Sequence, residues 1–121
     1  MKKILIRSLF LPVFLFFSFI TADHNIVGHW ITYTPDNSPV YVDFNSDGTF
    51  KVTVDGQIEN QGNYRLSNDT FSMYDNNCGI QLAGKYKLNF YTEDSLSFSL
   101  IEDSCTERVG EVNGGVIKRI Q

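Results

Sequence analysis

The stretch Asp43-x-Asn45-x-Asp47-Gly48 has the oxygen-donor spacing with which a calcium-binding EF-hand loop begins. Such a loop also needs a bidentate Glu at its twelfth position and a helix on each side. Counting from Asp43, the twelfth residue is Val54, and the flanking residues alternate apolar and polar, as strands do. Asn45-Ser46-Asp47-Gly48 therefore reads as a hairpin turn, with Asp43 ending a strand on its wet face. The other candidates for chemistry are Cys78, Cys105, His24 and His29. Their spacing is not that of a zinc site. A Ser-His-Asp pattern, a nucleophile elbow and a phosphate-cradling loop are all missing from the sequence. Asp47, Asp55 and Asp69 fall in turns. The residues imply no catalysis, no metal and no cofactor.

The chain starts Met1-Lys2-Lys3 with Arg7 close behind, and an apolar run follows from Leu9 to Ile20 before Thr21-Ala22. A basic start, a short apolar run and a small residue make a secretory signal peptide over residues 1–22. The run is roughly a dozen residues, short of the ~20 a spanning helix needs, so no stable membrane insertion is expected after cleavage. Cleavage after Ala22 leaves one domain over residues 23–121, in a periplasmic or secreted location. In that oxidising space Cys78 and Cys105 pair most simply as a disulfide. Closing that loop contributes about 3 kcal/mol on the chain-entropy model.

Three of the ten Lys and Arg lie in the leader, leaving seven against fourteen Asp and Glu, a net of −7. Such a surface repels nucleic acid and anionic lipid, which are bound through Lys and Arg.

The elements that must position these residues are short alternating runs. Val40, Val42 and Phe44 alternate with polar residues, as do Phe50, Val52 and Val54. The pattern recurs at Tyr64 and Leu66, at Phe71 and Met73, at Tyr86, Leu88 and Phe90, and at Leu96, Phe98 and Leu100. Period two places one face in water and one in a core. No stretch after Ala22 has a helical period. Turn residues separate the runs at 35–38, 45–48, 55–56, 67–69, 76–79, 92–94 and 102–104. Eight strands joined by seven tight turns predict an all-β, antiparallel up-and-down barrel, since closure removes exposed edges.

Gly28-His29-Trp30 at the head of the first strand resembles the Gly-x-Trp signature of lipocalins. Gly62-Asn63-Tyr64, Gly84-Lys85-Tyr86, Asp103-Ser104-Cys105-Thr106-Glu107-Arg108 and the hairpin before Gly48-Thr49-Phe50 resemble small exported bacterial lipocalin-like domains. The resemblance spans Gly28 to about Arg119. It departs from the pattern in the last strand, where Gly114-Gly115-Val116-Ile117 has no aromatic, and in lacking a Thr-Asp-Tyr motif. It implies an eight-stranded barrel with an arginine over the tryptophan at one end. The first and last strands of a closed meander pair antiparallel, which favours Arg119 over Arg108 for that role. Arg108 falls at the other end, within reach of Asp103 or Glu107.

A barrel of this size either fills with side chains or keeps a cavity for one small ligand. The carrier reading places a small hydrophobic molecule against Trp30, Thr32, Phe50, Tyr64, Met73, Tyr86 and Phe98. The alternative is an extracytoplasmic protein-binding, inhibitor or structural module with a filled barrel, its outward Tyr33, Tyr41, Tyr74 and Tyr91 offering contact anchors. For the opening stretch the expected result is specific. Calcium titration should leave the thermal unfolding midpoint unchanged; a rise of several degrees would restore the calcium loop.

Overall fold

The structure is a computed structural model describing residues 24–120. The leader expected over residues 1–22 lies outside the described residues. Eight antiparallel strands close into one barrel in chain order. They are β1 (Gly28–Tyr33), β2 (Pro39–Phe44), β3 (Thr49–Val54), β4 (Gln57–Ser67), β5 (Thr70–Asp75), β6 (Gly79–Thr92), β7 (Ser95–Glu102) and β8 (Val116–Ile120). A helix, α1 (Thr106–Val112), interrupts the last connection.

The alternation sets the faces as expected. Trp30, Phe44, Phe50, Phe71, Met73, Tyr86, Leu88, Leu96 and Phe98 are buried inside, joined by Ile26 and Ile117. Tyr33, Tyr41 and Tyr91 are exposed, whereas Tyr74 is half-buried. The turns form where Gly, Asn and Asp permit. Asp55 and Gly56 both take positive φ, 51° and 78°, and close a two-residue hairpin. Asn45-Ser46-Asp47-Gly48 is a turn, closed by the Asn45 amide donating to Thr49 O at 2.9 Å. The Asp47 carboxylate is held by the Thr49 hydroxyl and amide, which lower its pKa.

Two expectations fail near the end of β7. Glu102-Asp103-Ser104 is not a tight hairpin; it leads into α1, a helix that the sequence pattern did not reveal. Only two turns long and carrying Gly110, α1 is a poor helix former by itself, and its anchor on the barrel is the polar side chain of Arg108. Leu100, expected inside, is 41% exposed. It adjoins the register shift at Lys85/Tyr86, where β7 leaves the wall toward α1.

Strand closure also depends on one close backbone approach. A Cβ on Gly62 of β4 would lie 1.8 Å from the Tyr74 carbonyl oxygen of β5. A Cβ on Gly110, by contrast, meets nothing within 4 Å. Gly62→Ala should therefore lower unfolding free energy by about 2 kcal/mol or more, while Gly110→Ala should raise it by about 0.5–1 kcal/mol. Denaturant titration of the two variants checks both signs.

Candidate functional site

In an eight-stranded meander, alternate connections leave the same end. One end holds the chain start, the β2–β3, β4–β5 and β6–β7 turns and the end of β8. The other holds the β1–β2, β3–β4 and β5–β6 turns and α1. Each end is closed around an arginine.

At the first end Trp30 and Arg119 are register partners across β1 and β8. The guanidinium lies 4.3 Å from the indole centroid, a cation–π contact of about 0.5–2 kcal/mol. Arg119 also donates to Val27 O at 2.8 Å and Asn25 O at 2.5 Å, and pairs with Asp94 at 3.1 Å. The Trp30 indole donates to Ile26 O at 2.8 Å. The structure thus brings together Trp30 and Arg119, the two residues expected to meet at this end. Beside it, His24 stacks on Phe90 at 4.3 Å. His29 faces outward and pairs with Asp43.

At the second end the side chain of Arg108 is 2% exposed. Its Nε donates to Asp103 Oδ2 at 2.7 Å, and its Nη2 to Asp103 Oδ1 at 2.8 Å and to Leu82 O at 2.9 Å. Its Nη1 lies 3.4 Å from Asp75 Oδ2, an ion-pair contact without a hydrogen bond. Asp75 also accepts from Asn60 at 3.1 Å and from the Cys78 amide at 2.8 Å. Asp103 accepts from the Tyr86 hydroxyl at 2.5 Å and from the Cys105 amide at 2.9 Å. Cys78 and Cys105 are joined as a disulfide, with Cα atoms 6.0 Å apart. The covalent and ionic links therefore tie together the same two segments, the β5–β6 turn and the approach to α1. Gly84 makes room for the pair, since a Cβ there would lie 2.5 Å from Asp103 Oδ2 and 2.7 Å from Arg108 Nε.

Asp75 escaped the sequence reading, as did the burial of Arg108. A signal existed: an aspartate sits just ahead of each cysteine, in Asp75-Asn76-Asn77-Cys78 and Asp103-Ser104-Cys105. Of the two partners expected within reach of Arg108, Asp103 and Glu107, the structure pairs it with Asp103.

Between the ends the interior is packed with rings. Phe44 meets Tyr64 at 5.2 Å and Phe71 at 5.6 Å, Tyr64 meets Phe71 at 5.7 Å, and Phe71 meets Phe98 at 5.5 Å. Phe50 joins through Phe44 at 6.3 Å. Met73 lies across from Tyr64 in register, and the Tyr64 hydroxyl reaches Asn45 O at 2.7 Å. Of the seven positions expected to line a ligand, Phe50, Tyr64 and Phe98 belong to this one aromatic cluster. Tyr86 is fixed to Asp103, Trp30 lies under Arg119, and Thr32 is half-buried opposite Val40. Two open recesses of about 250 and 340 Å³ lie beside Arg119 and Lys51, the second bordered by Phe50. Among the described residues no three His, Cys, Asp or Glu are placed to share a metal ion, and no helix is long and apolar enough to cross a membrane. No protein-family model matches the chain, and neither a curated protein nor a solved structure matches it.

Burial of Asp103 opposes its ionisation, but the hydrogen bonds from Arg108, then Tyr86 and the Cys105 amide, outweigh that and hold its pKa at about 2. A folded pKa below the usual 3.8 gives stability that is fully present above 3.8 and lost as pH falls through about 2. The amount is about 2 kcal/mol. Asp103→Asn should unfold more easily near neutrality, by about 3 kcal/mol because Arg108 is left under-paired. It should also lose less on going from pH 4 to pH 2 than the unaltered chain does. Denaturant unfolding at a series of pH values checks this, and equal slopes in both proteins would refute the assignment.

Proposed function

We propose that the chain is an exported, non-catalytic module that binds another extracytoplasmic protein through its outer surface, on a small lipocalin-like barrel filled by its own side chains. The observation that carries this reading is the interior packing. Phe44, Tyr64, Phe71 and Phe98 are in ring-to-ring contact, and Trp30 and Tyr86 are fully buried. A small hydrophobic guest would have to displace rings that fill each other's space, and close packing makes that costly. Binding then falls to the outer wall and the connections, which a rigid barrel presents well. Export is supported by the leader pattern and by the bonded cysteines. The lipocalin-like assignment is supported by Gly28-His29-Trp30 with Arg119 lying over the indole.

The test is native mass spectrometry of the protein purified from its own envelope or medium, beside the same sample denatured. The expected result is the bare mature mass in both, unchanged after incubation with fatty acids, a sterol and haem. A small-molecule adduct lost on denaturation would overturn this reading in favour of a carrier and give the guest's mass.

A further inference from the structure

The charges of this barrel are sorted by end. Asp36 and Asp55 sit in the β1–β2 and β3–β4 turns, and Glu107 and Glu111 lie on α1. Glu59 opens β4 and Glu102 closes β7. All six are exposed at the helix-capped end. Among the described residues, the one Lys or Arg in the connections of that end is Arg108, which is buried between Asp75 and Asp103. Glu102 alone has a cation across the sheet, Lys85. The remaining cations, Lys51, Arg65, Lys87, Lys118 and Arg119, lie in the other half of the barrel. There they balance Asp43, Asp47, Asp69, Glu93 and Asp94. The net negative charge of the described barrel therefore belongs to one end. Glu111 registers the crowding: burial, then Glu107 and Asp75, push its carboxyl above the usual range.

The same end carries most of the exposed apolar side chains. Tyr33 is 57% exposed, Ile58 55%, Ile80 63% and Ile101 53%, with Leu82 and Val116 also exposed. The opposite end shows Tyr91, at 67% the most exposed single side chain of this kind, and Tyr41 and Leu100 are exposed on the wall. Ile80 and Leu82 lie in the stretch of β6 that runs past its register with β5, which jumps from Gly79 to Gly84. Apolar groups interspersed with unpaired carboxylates form a surface suited to protein contact, with apolar anchors and a charged rim.

We propose that the helix-capped end of the barrel is a docking face for a cationic protein. This rests on the protein-binding reading above and names its face and the chemistry of its partner. Charge complementarity selects the occupant. The six exposed carboxylates disfavour a second copy of the same face, because like potentials would meet. An anionic surface or nucleic acid is repelled in the same way. A bound metal has no cluster of donors among the described residues. A basic protein surface relieves the crowding at Glu111 and covers Ile80, Ile58 and Tyr33.

The test uses the mature chain immobilised through its C-terminus, at the opposite end. The probes are the host's extracytoplasmic and surrounding proteins, separated by ion exchange into a cationic and an anionic pool. Glu59→Lys/Glu107→Lys/Glu111→Lys reverses the proposed face, and Asp69→Lys/Glu93→Lys reverses the other end. All five positions are exposed, and both variants should match the parent in circular dichroism and unfolding midpoint. The expected result is a discrete protein retained from the cationic pool by the parent and by the Asp69/Glu93 variant. Its affinity for the Glu59/Glu107/Glu111 variant should be tenfold or more weaker, and raising salt should weaken parent binding. Retention from the anionic pool, equal retention by both variants, or retention of a second copy of the chain overturns the docking face while leaving the protein-binding reading standing. No retained protein, together with a small-molecule adduct in the native mass spectrum, overturns both.

Discussion

The buried guanidinium of Arg108 is the contact on which the helix-capped end depends. An eight-stranded barrel has no sheet edges, but it has two open ends, and water reaches the core through any end left uncovered. Here the cover is a seven-residue helix that could not persist alone. What seats it is one charged side chain that reaches Asp103, Asp75 and the Leu82 carbonyl at once. A lone buried charge costs several kcal/mol, so the arrangement stands only because both carboxylates and their own donors are present. The disulfide joins the same two segments. Loss of either link leaves the other holding the connection, whereas loss of a single carboxylate leaves a buried charge short of a partner.

Arg119 performs the corresponding task at the other end by different physics. It lies over the indole of Trp30 rather than between carboxylates, and its hydrogen bonds go mainly to backbone carbonyls of the incoming chain. The side chain stays partly exposed, and its ion pair with Asp94 is open to solvent. One end is thus sealed by a buried ionic lock and the other by a stacked cation. Between them Phe44, Phe71 and Phe98 meet ring to ring.

For the proposed protein-binding module, the chemistry of the surface is the informative part of the molecule. Burying Arg108 removes from the helix-capped end the one cation its connections carry, so its exposed carboxylates other than Glu102 stand uncompensated. The ionic lock that completes the fold at that end therefore also sharpens the polarity of the barrel.

The sequence by itself determined what depends on local periodicity and turn chemistry. The alternation of Val40, Val42 and Phe44, or of Tyr86, Leu88 and Phe90, leaves one buried face per strand. Gly, Asn and Asp between the runs allow little besides hairpins. Strand count, antiparallel order and the turn at Asn45–Gly48 follow from those two facts and from closure; that an arginine lies over Trp30 was implied by the resemblance of Gly28-His29-Trp30, and closure favoured Arg119 for it. The tertiary structure decided what depends on residues far apart in the chain. Helix α1 was hidden because its anchor is a charge, which a search for apolar periodicity passes over. Asp75 and Arg108 are thirty-three positions apart and look like surface residues until the barrel brings them together. The exposure of Leu100 follows from a register shift, and no alternation pattern encodes a register shift. The sorting of charge by end was likewise invisible along the chain. Acidic residues are scattered through nearly every connection, and only closure shows which connections share an end.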